Sequence, residues 1–334
     1  MSRRLSIVST MFVLAFVSVM FGCSSASSPS VASHLGAAGI REISQSLGHW
    51  TTRAPMPTAR WALAAGVVNG ILYTVGGADT IDGTDLNTVE AYNHTTNTWT
   101  TKTSMPTARE GLAVGGVNGV LYAVGGLSNG GALNTVEAYN HTRNTWTTRA
   151  SMPTARTNLA VGVINGRLYA VGGDNGGPQN YLNTVEAYDS ITDTWTTKAP
   201  MPTARTDPAV AVVNGILYAV GGENGGGVLN TVEAYDSITD TWTTKAPMST
   251  ARTILAASDF GRNLYAIGGW KNGRGLDTVE AYDPATNTWT TKAPMPTARF
   301  SLATRVVARR LYAIGGCCDS NGGPFDANEA FNRE

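Results

Sequence analysis

One phrase recurs along the chain at a nearly fixed interval, and that interval limits the fold more than any other feature. Glycine doublets begin at Gly76, Gly125, Gly172, Gly221, Gly268 and Gly315, and a Trp-Thr-Thr triplet begins at Trp50, Trp99, Trp146, Trp195, Trp242 and Trp289, so successive copies lie 47 or 49 residues apart. A period in this range means one supersecondary unit repeated, each copy burying its apolar face against its neighbours. The third unit contains "NLAVGVI" (158–164), then Asn165-Gly166, "RLYAVGG", "LNTVEAYD" and "TWTTKA". Asn-Gly between apolar runs is a two-residue hairpin signal, and the runs are too short for helices, so each unit reads as four antiparallel strands, a to d.

The two edges of the unit differ. Strand a contains Ala64, Ala113, Ala160, Ala209, Ala256 or Ala303 at one equivalent position, with Gly66, Gly115, Gly162 or Ala211 two residues on, and small side chains suit a crowded axis. Strand d is Thr-rich and places Arg53, Lys102, Arg149, Lys198, Lys245 or Lys292 three residues after its Trp, as an exposed edge needs if it is to avoid pairing with another molecule. A sheet running from a small-residue inner edge to a charged outer edge is a propeller blade.

The "LYAVGG" doublet, the Tyr of "VEAY", the Trp seven residues later and "APMPTAR" together resemble Kelch repeats over residues 49–332. The resemblance implies an all-β, six-bladed propeller whose blades meet through the Tyr and Trp rings. Units five and six carry "GRN" and "ARR" in place of Asn-Gly, and unit six carries "ANEAF" in place of "TVEAY", so irregular blades are expected there. The opening "HWTTRA" is a strand d without its unit, and the C-terminal unit lacks one. Joined, they complete the sixth blade and close the ring, at a cost in loop-closure entropy that local blades avoid.

Residues 1–23 read as an export signal: Arg3 and Arg4, an apolar run over 5–21, then Gly22-Cys23, which resembles a bacterial lipobox with Cys23 as the lipidated residue. Met20 and Phe21 depart from the usual lipobox, and ordinary secretion with cleavage near Ala26 is the alternative. Residues 24–48, rich in Ser and Ala, read as a tether, leaving 49–334 as the propeller. The expected location is the cell envelope or outside the cell, with membrane contact only through the lipid anchor.

Lys plus Arg and Asp plus Glu both total 24, which removes the basic excess that nucleic acid would require. The three Cys are too few for a disulfide framework, and the adjacent Cys317 and Cys318 read as two thiols in a loop. His34, His49, His94 and His141 form no cluster with Asp or Cys, so no metal, cofactor or catalytic set is expected, and the two-His, two-Tyr copper site of some Kelch propellers has no counterpart. Asp79, Asp82 and Asp85 read as solvated loop carboxylates rather than as a Ca²⁺ seat. Asn93 and Asn140 match glycosylation acceptors, which a bacterial leader makes irrelevant.

In a four-stranded antiparallel blade, the d-to-a and b-to-c connections share one face. The c-to-d turns repeat, whereas the b-to-c loops are eight or six residues long and differ in chemistry, and they include Tyr181 and Trp270. The residues after the repeated Arg also vary, with Trp61, Glu110 and Phe300 directly after it and Asp207 two on. Binding of one asymmetric ligand is therefore expected on this face. The column Arg60, Arg109, Arg156, Arg205, Arg252 and Arg299 has two readings. Each Arg can pair with the repeated Glu and fix the blades, or the ring can attract carboxylates, as arginines do in Kelch propellers that bind acidic peptides. Arg305, where other units have Gly, Ala or Ser, is the most site-like substitution. The sequence thus points to a monomeric binding scaffold for a protein or glycan. Two alternatives stand beside it, a carbohydrate-active enzyme similar to the sialic-acid mutarotases, with Arg305 and Asp259 as its hints, and a purely structural or adhesin module.

Overall fold

The computed structural model describes residues 48–79, 84–177, 179–317 and 323–333. The leader with Cys23, the tether up to residue 47, Asp82 and Cys318 lie outside them. Six four-stranded antiparallel sheets form the blades of a propeller. In blade 1 the strands are Ala64–Val68, Ile71–Val75, Val89–Asn93 and Thr98–Thr101, in spatial order a, b, c, d. Blade 6 is built from both ends of the chain: Ala303–Val307, Arg310–Ile314 and Asn328–Asn332 receive His49–Thr52 as their outer strand, in the register His49 to Asn332 through Thr52 to Glu329. The expected closure is therefore present. Among the described residues no helix is long and apolar enough to cross a membrane.

Interlocking side chains, two positions deep, set how closely the inner strands approach. At Gly66, Gly115, Gly162 and Ser258 the third residue of strand a points at the second residue of the next blade's strand a. A Cβ added to Gly66 would lie 2.8 Å from Val114 Cγ1, and one on Gly162 would lie 3.1 Å from Val210 Cγ1. Gly115 faces Val161 in the same way. Where the next blade is smaller or polar, the facing residue grows: Ala211 precedes Ala257, and Ser258 Oγ hydrogen-bonds Thr304 Oγ1 at 2.9 Å. Arg305 stands at the same repeat position before Ala65, where the other blades have Gly, Ala or Ser. In the other five combinations a small residue meets a small or medium one, so the volume shared between blades stays similar, as a close-packed interior requires.

Rings join the blades further out. Tyr73 meets Tyr139 at 5.7 Å, Tyr122 meets Tyr188 at 5.6 Å, and the chain of contacts runs on to Tyr265–Phe331 at 5.9 Å and Tyr312–Tyr92 at 5.5 Å across the closing seam. Phe331 keeps the ring at the place where "ANEAF" breaks the repeat. Each strand-d Trp donates its indole N–H to a carbonyl just past the preceding blade's outer strand, as Trp195 does to Ala150 O and Trp50 to Ala293 O, both at 2.9 Å. Trp195→Phe keeps the ring and removes the donor, so it is expected to cost about 1 kcal/mol in urea unfolding.

The expected irregularity of blades 5 and 6 is not found. "GRN" and "ARR" make the same two-residue turn as Asn-Gly, in register Phe260 to Asn263 and Val307 to Arg310. Both central residues have positive φ, 64° and 67° at Gly261-Arg262 and 49° and 59° at Ala308-Arg309, because the pairing of the flanking strands outweighs the local preference. Ala308 and Arg309 are exposed and in the left-handed region that L-residues avoid. The double variant Ala308→Asn/Arg309→Gly is expected to stabilise the protein by about 1 kcal/mol, read as a higher urea midpoint.

The b-to-c loops hold structure that sequence reading missed. The six-residue loops form small hairpins, Leu127–Ser128 with Gly131–Ala132, Glu223–Asn224 with Gly227–Val228 and Trp270–Lys271 with Arg274–Gly275. The eight-residue loops close instead through single bridges at Ala78–Asp85, Asp174–Tyr181 and Cys317–Pro324.

Candidate functional site

The residue after each repeated Arg pairs with the first residue of a b-to-c loop: Trp61 with Ala78, Glu110 with Leu127, Thr157 with Asp174, Thr206 with Glu223, Thr253 with Trp270 and Phe300 with Cys317. The two sets of variable connections thus form one surface, on the face where sequence analysis put them. One residue further on, the backbone turns left-handed in all six units, at Ala62, Gly111, Asn158, Asp207, Ile254 and Ser301, with φ from 50° to 58°. Amide N–H groups there donate to the carbonyl of the preceding unit: Gly111 N to Ala62 O at 3.0 Å, Asn158 N to Gly111 O at 2.8 Å, Asp207 N to Asn158 O at 3.0 Å, Ser301 N to Ile254 O at 3.0 Å and Ala62 N to Ser301 O at 3.1 Å. These five hydrogen bonds rim the channel, and the six residues, all different, line a mouth of about 120 Å³ floored by Leu63, Leu112, Leu159, Pro208, Leu255 and Leu302.

The arginine column lies beneath this surface. All six are 0% exposed, and each donates to a buried Glu, among them Arg60 to Glu90, Arg109 to Glu137 and Arg252 to Glu280 at 2.7 Å, with Arg156 paired to Glu186. Arg60 also donates to Gly76 O at 3.1 Å, Thr88 O at 2.8 Å and Thr74 Oγ1 at 2.7 Å, and Thr58 Oγ1 holds the other Glu90 oxygen at 2.8 Å. Burial lowers the Arg60 pKa to about 10, with Glu90 opposing, so the ion pair is intact at neutral pH. These guanidinium groups present no surface to a ligand. Their donors instead tie the loop entering each blade to the ends of its strands b and c.

The other expected residues, Trp61, Glu110, Tyr181, Asp207, Trp270 and Phe300, are all half-buried on this face. They divide it by chemistry. Over blades 2 to 4 it is acidic. Burial pushes Asp207 well above the usual carboxylate range, reinforced by Glu223 and Asp174. Asp174 is clamped by Thr206 Oγ1 at 2.8 Å, Asn158 Nδ2 at 3.1 Å and Gly176 N at 2.9 Å. Burial, with Asp85 adding to it, raises Glu110 to about 7. Over blades 5 and 6 it is aromatic, with Trp270 and Phe300 in edge contact at 4.7 Å. Sequence reading passed over Asp174 and Glu223. Their signal was available, since both directly follow a glycine doublet and therefore sit where a b-to-c loop meets the d-to-a connection.

Glu110 has a pH consequence. Its folded pKa, about 7, lies above its ordinary 4.5, so the native state holds the proton longer than the unfolded chain does. Its contribution to stability is full below about pH 4.5 and is lost as pH rises to 7. Glu110→Gln is accordingly expected to raise the thermal midpoint relative to the parent at pH 8 and to leave it unchanged at pH 4.5.

Arg305 lies deeper, in the channel lumen, which forms a cavity of about 240 Å³ lined mainly by Val and Gly. Asp259 lines the same cavity. Burial lowers the Arg305 pKa to about 10 and raises that of Asp259. The structure thus places both sequence hints in one space. Among the described residues no group of three or more His, Cys, Asp or Glu could hold a metal ion.

The sequence matches the model of the KLHDC2/KLHL20/DRC7 Kelch-repeats domain over residues 19–201 and 147–316. No curated protein matches it. Among solved structures the chain is similar to one described as "Structure of YjhT", with a TM-score of 0.72 and 16% identity, covering 83% of this chain and 96% of that one, a likeness in fold. Six blades closed by the N-terminal strand and a family match across most of their length lead to one conclusion: the chain belongs to the Kelch-repeat family of β-propellers.

Proposed function

We propose that this propeller is an exported binding scaffold that takes a protein or glycan ligand at the channel mouth, on the face of the d-to-a and b-to-c loops. One observation carries the reading. Where all six units meet on that face, the rim residues are Ala62, Gly111, Asn158, Asp207, Ile254 and Ser301, all different, while the arginines beneath them are identical and wholly buried. A repeated scaffold with an unrepeated rim suits recognition of one asymmetric partner. The rim's chemistry favours a ligand that offers hydrogen-bond donors or positive charge to Asp207, Asp174 and Glu223 and a flat apolar surface to Trp270 and Phe300. Acidic peptides, which an exposed arginine ring would have suited, do not fit this rim.

Partners retained by the immobilised mature chain from its native cell envelope are expected to be lost with Asp207→Asn/Trp270→Ala/Phe300→Ala and kept with Arg167→Ala, whose exposed pair with Asp189 lies elsewhere. Equal recovery by both variants would refute the site. Export and anchoring rest on the leader, and incorporation of labelled palmitate that Cys23→Ser abolishes would support them. The carbohydrate-active alternative is favoured by Arg305 and Asp259 sharing one cavity. It requires that an acidic sugar undergo anomer interconversion with this protein and not with Arg305→Ala.

A further inference from the structure

The chain contains its own standard for burying a guanidinium. At six positions a wholly buried Arg meets a Glu carboxylate and backbone carbonyls together. That is what burial of a cation demands, since an uncompensated charge away from water is costly. Arg305 departs from the standard: it is half-buried on the lumen wall, open to the channel on one side, and is held by backbone carbonyls without a Glu. Nη1 donates to Thr304 O and Nη2 to Val114 O, both at 2.8 Å, and none of the ion pairs among the described residues includes it. Only two of the five N–H groups that a guanidinium carries are used in these bonds. Asp259 lines the same cavity but makes no ion pair with Arg305 among the described residues.

The cation is also accommodated by design of the neighbouring strand. In blades 2, 3 and 4 the second residue of strand a is Val, and the residue facing it is Gly. Blade 1 has Ala65 there, and Arg305 holds the repeat position that Gly holds before those valines. Without the valine methyls, the side chain runs along the lumen and reaches Val114, two blades on. Around it the wall is Val67, Val114, Val161, Val210 and Val306.

We propose that the lumen is a binding site for one small aliphatic monocarboxylate, its carboxylate on the free N–H groups of Arg305 and its tail against the valines. The carboxylate supplies the counter-charge that Glu supplies to the other six arginines, and a forked guanidinium matches it in shape. A volume of about 240 Å³ holds an acid of a few carbons. This site is separate from the rim site above it and stands or falls without it.

The probe is 3-bromopropanoate, which joins a carboxylate to an anomalous scatterer. Soaked into crystals of the unmodified propeller, it is expected to give one bromine peak in the lumen with the carboxylate on Arg305. In titration calorimetry it is expected to bind one per chain, roughly tenfold or more weakly to Arg305→Gln. Ala65→Val, which leaves the arginine in the sequence but refills its space, is expected to weaken binding as well. No saturable binding, bromine peaks only outside the lumen, or undiminished affinity in Arg305→Gln would overturn the proposal. So would binding of a sialic acid with none of bromopropanoate, because the recognised group would then be a sugar. The soak uses the native chain, so its result is independent of how well the variants fold.

Discussion

A chain that begins at Trp61 is expected to lose the monomeric propeller, appearing on size exclusion as oligomer or unfolded protein. Such a truncation removes the outer strand of blade 6, whose four residue pairs with Asn332 through Glu329 cover the edge of strand c. It also removes Trp50, which packs on Phe331 at 5.2 Å and donates to Ala293 O, and the bonds from Arg53 N to Asn328 O and Met56 N to Asp326 O. Arg60 goes too, leaving Glu90 buried without its cation. An uncovered strand edge invites pairing with another chain, and an unpaired buried carboxylate adds a penalty of several kcal/mol. A truncation beginning at Gly48 keeps every one of these contacts and is expected to keep the parent's thermal midpoint. A stable monomer from the Trp61 truncation would falsify the closure as the source of the ring's integrity.

The second large effect is expected at the buried ion pairs. Glu137→Gln leaves Arg109, 0% exposed, with Gly125 O and Thr135 O at 3.1 Å but without the carboxylate at 2.7 Å. Removing one partner of such a pair costs about 3–5 kcal/mol, whereas replacing both by apolar residues of similar volume costs far less. Urea unfolding should therefore place Glu137→Gln well below the parent and Arg109→Met/Glu137→Leu between the two. If the double variant were the least stable, the carbonyl contacts of Arg109 rather than its charge would be what holds the blade.

These two effects explain what was legible beforehand. Repetition exposed the fold: six spaced Trp and Gly doublets define the blades, and the orphan "HWTTRA" defines the closure. The arginine column was visible as well, but its two readings could be separated only by burial, which no spacing gives. The blade 5 and 6 turns show the opposite case, regular turns without the residues that favour them. "GRN" and "ARR" lack the favoured residues, yet strand pairing on both sides imposes the same left-handed turn.

The sequence by itself determined the blade count, the order of strands and the face on which variable residues gather, because strand alternation and repeat length are local properties that a linear pattern carries. The tertiary structure alone decided what meets across blades. It brought Asp207 beside Asp174 and Glu223, sealed six arginines against six glutamates, and set Arg305 against the carbonyl of Val114, residues 191 positions apart in a 334-residue chain. Such juxtapositions depend on how a ring closes, and the charge and volume they balance are shared between partners that the sequence keeps apart.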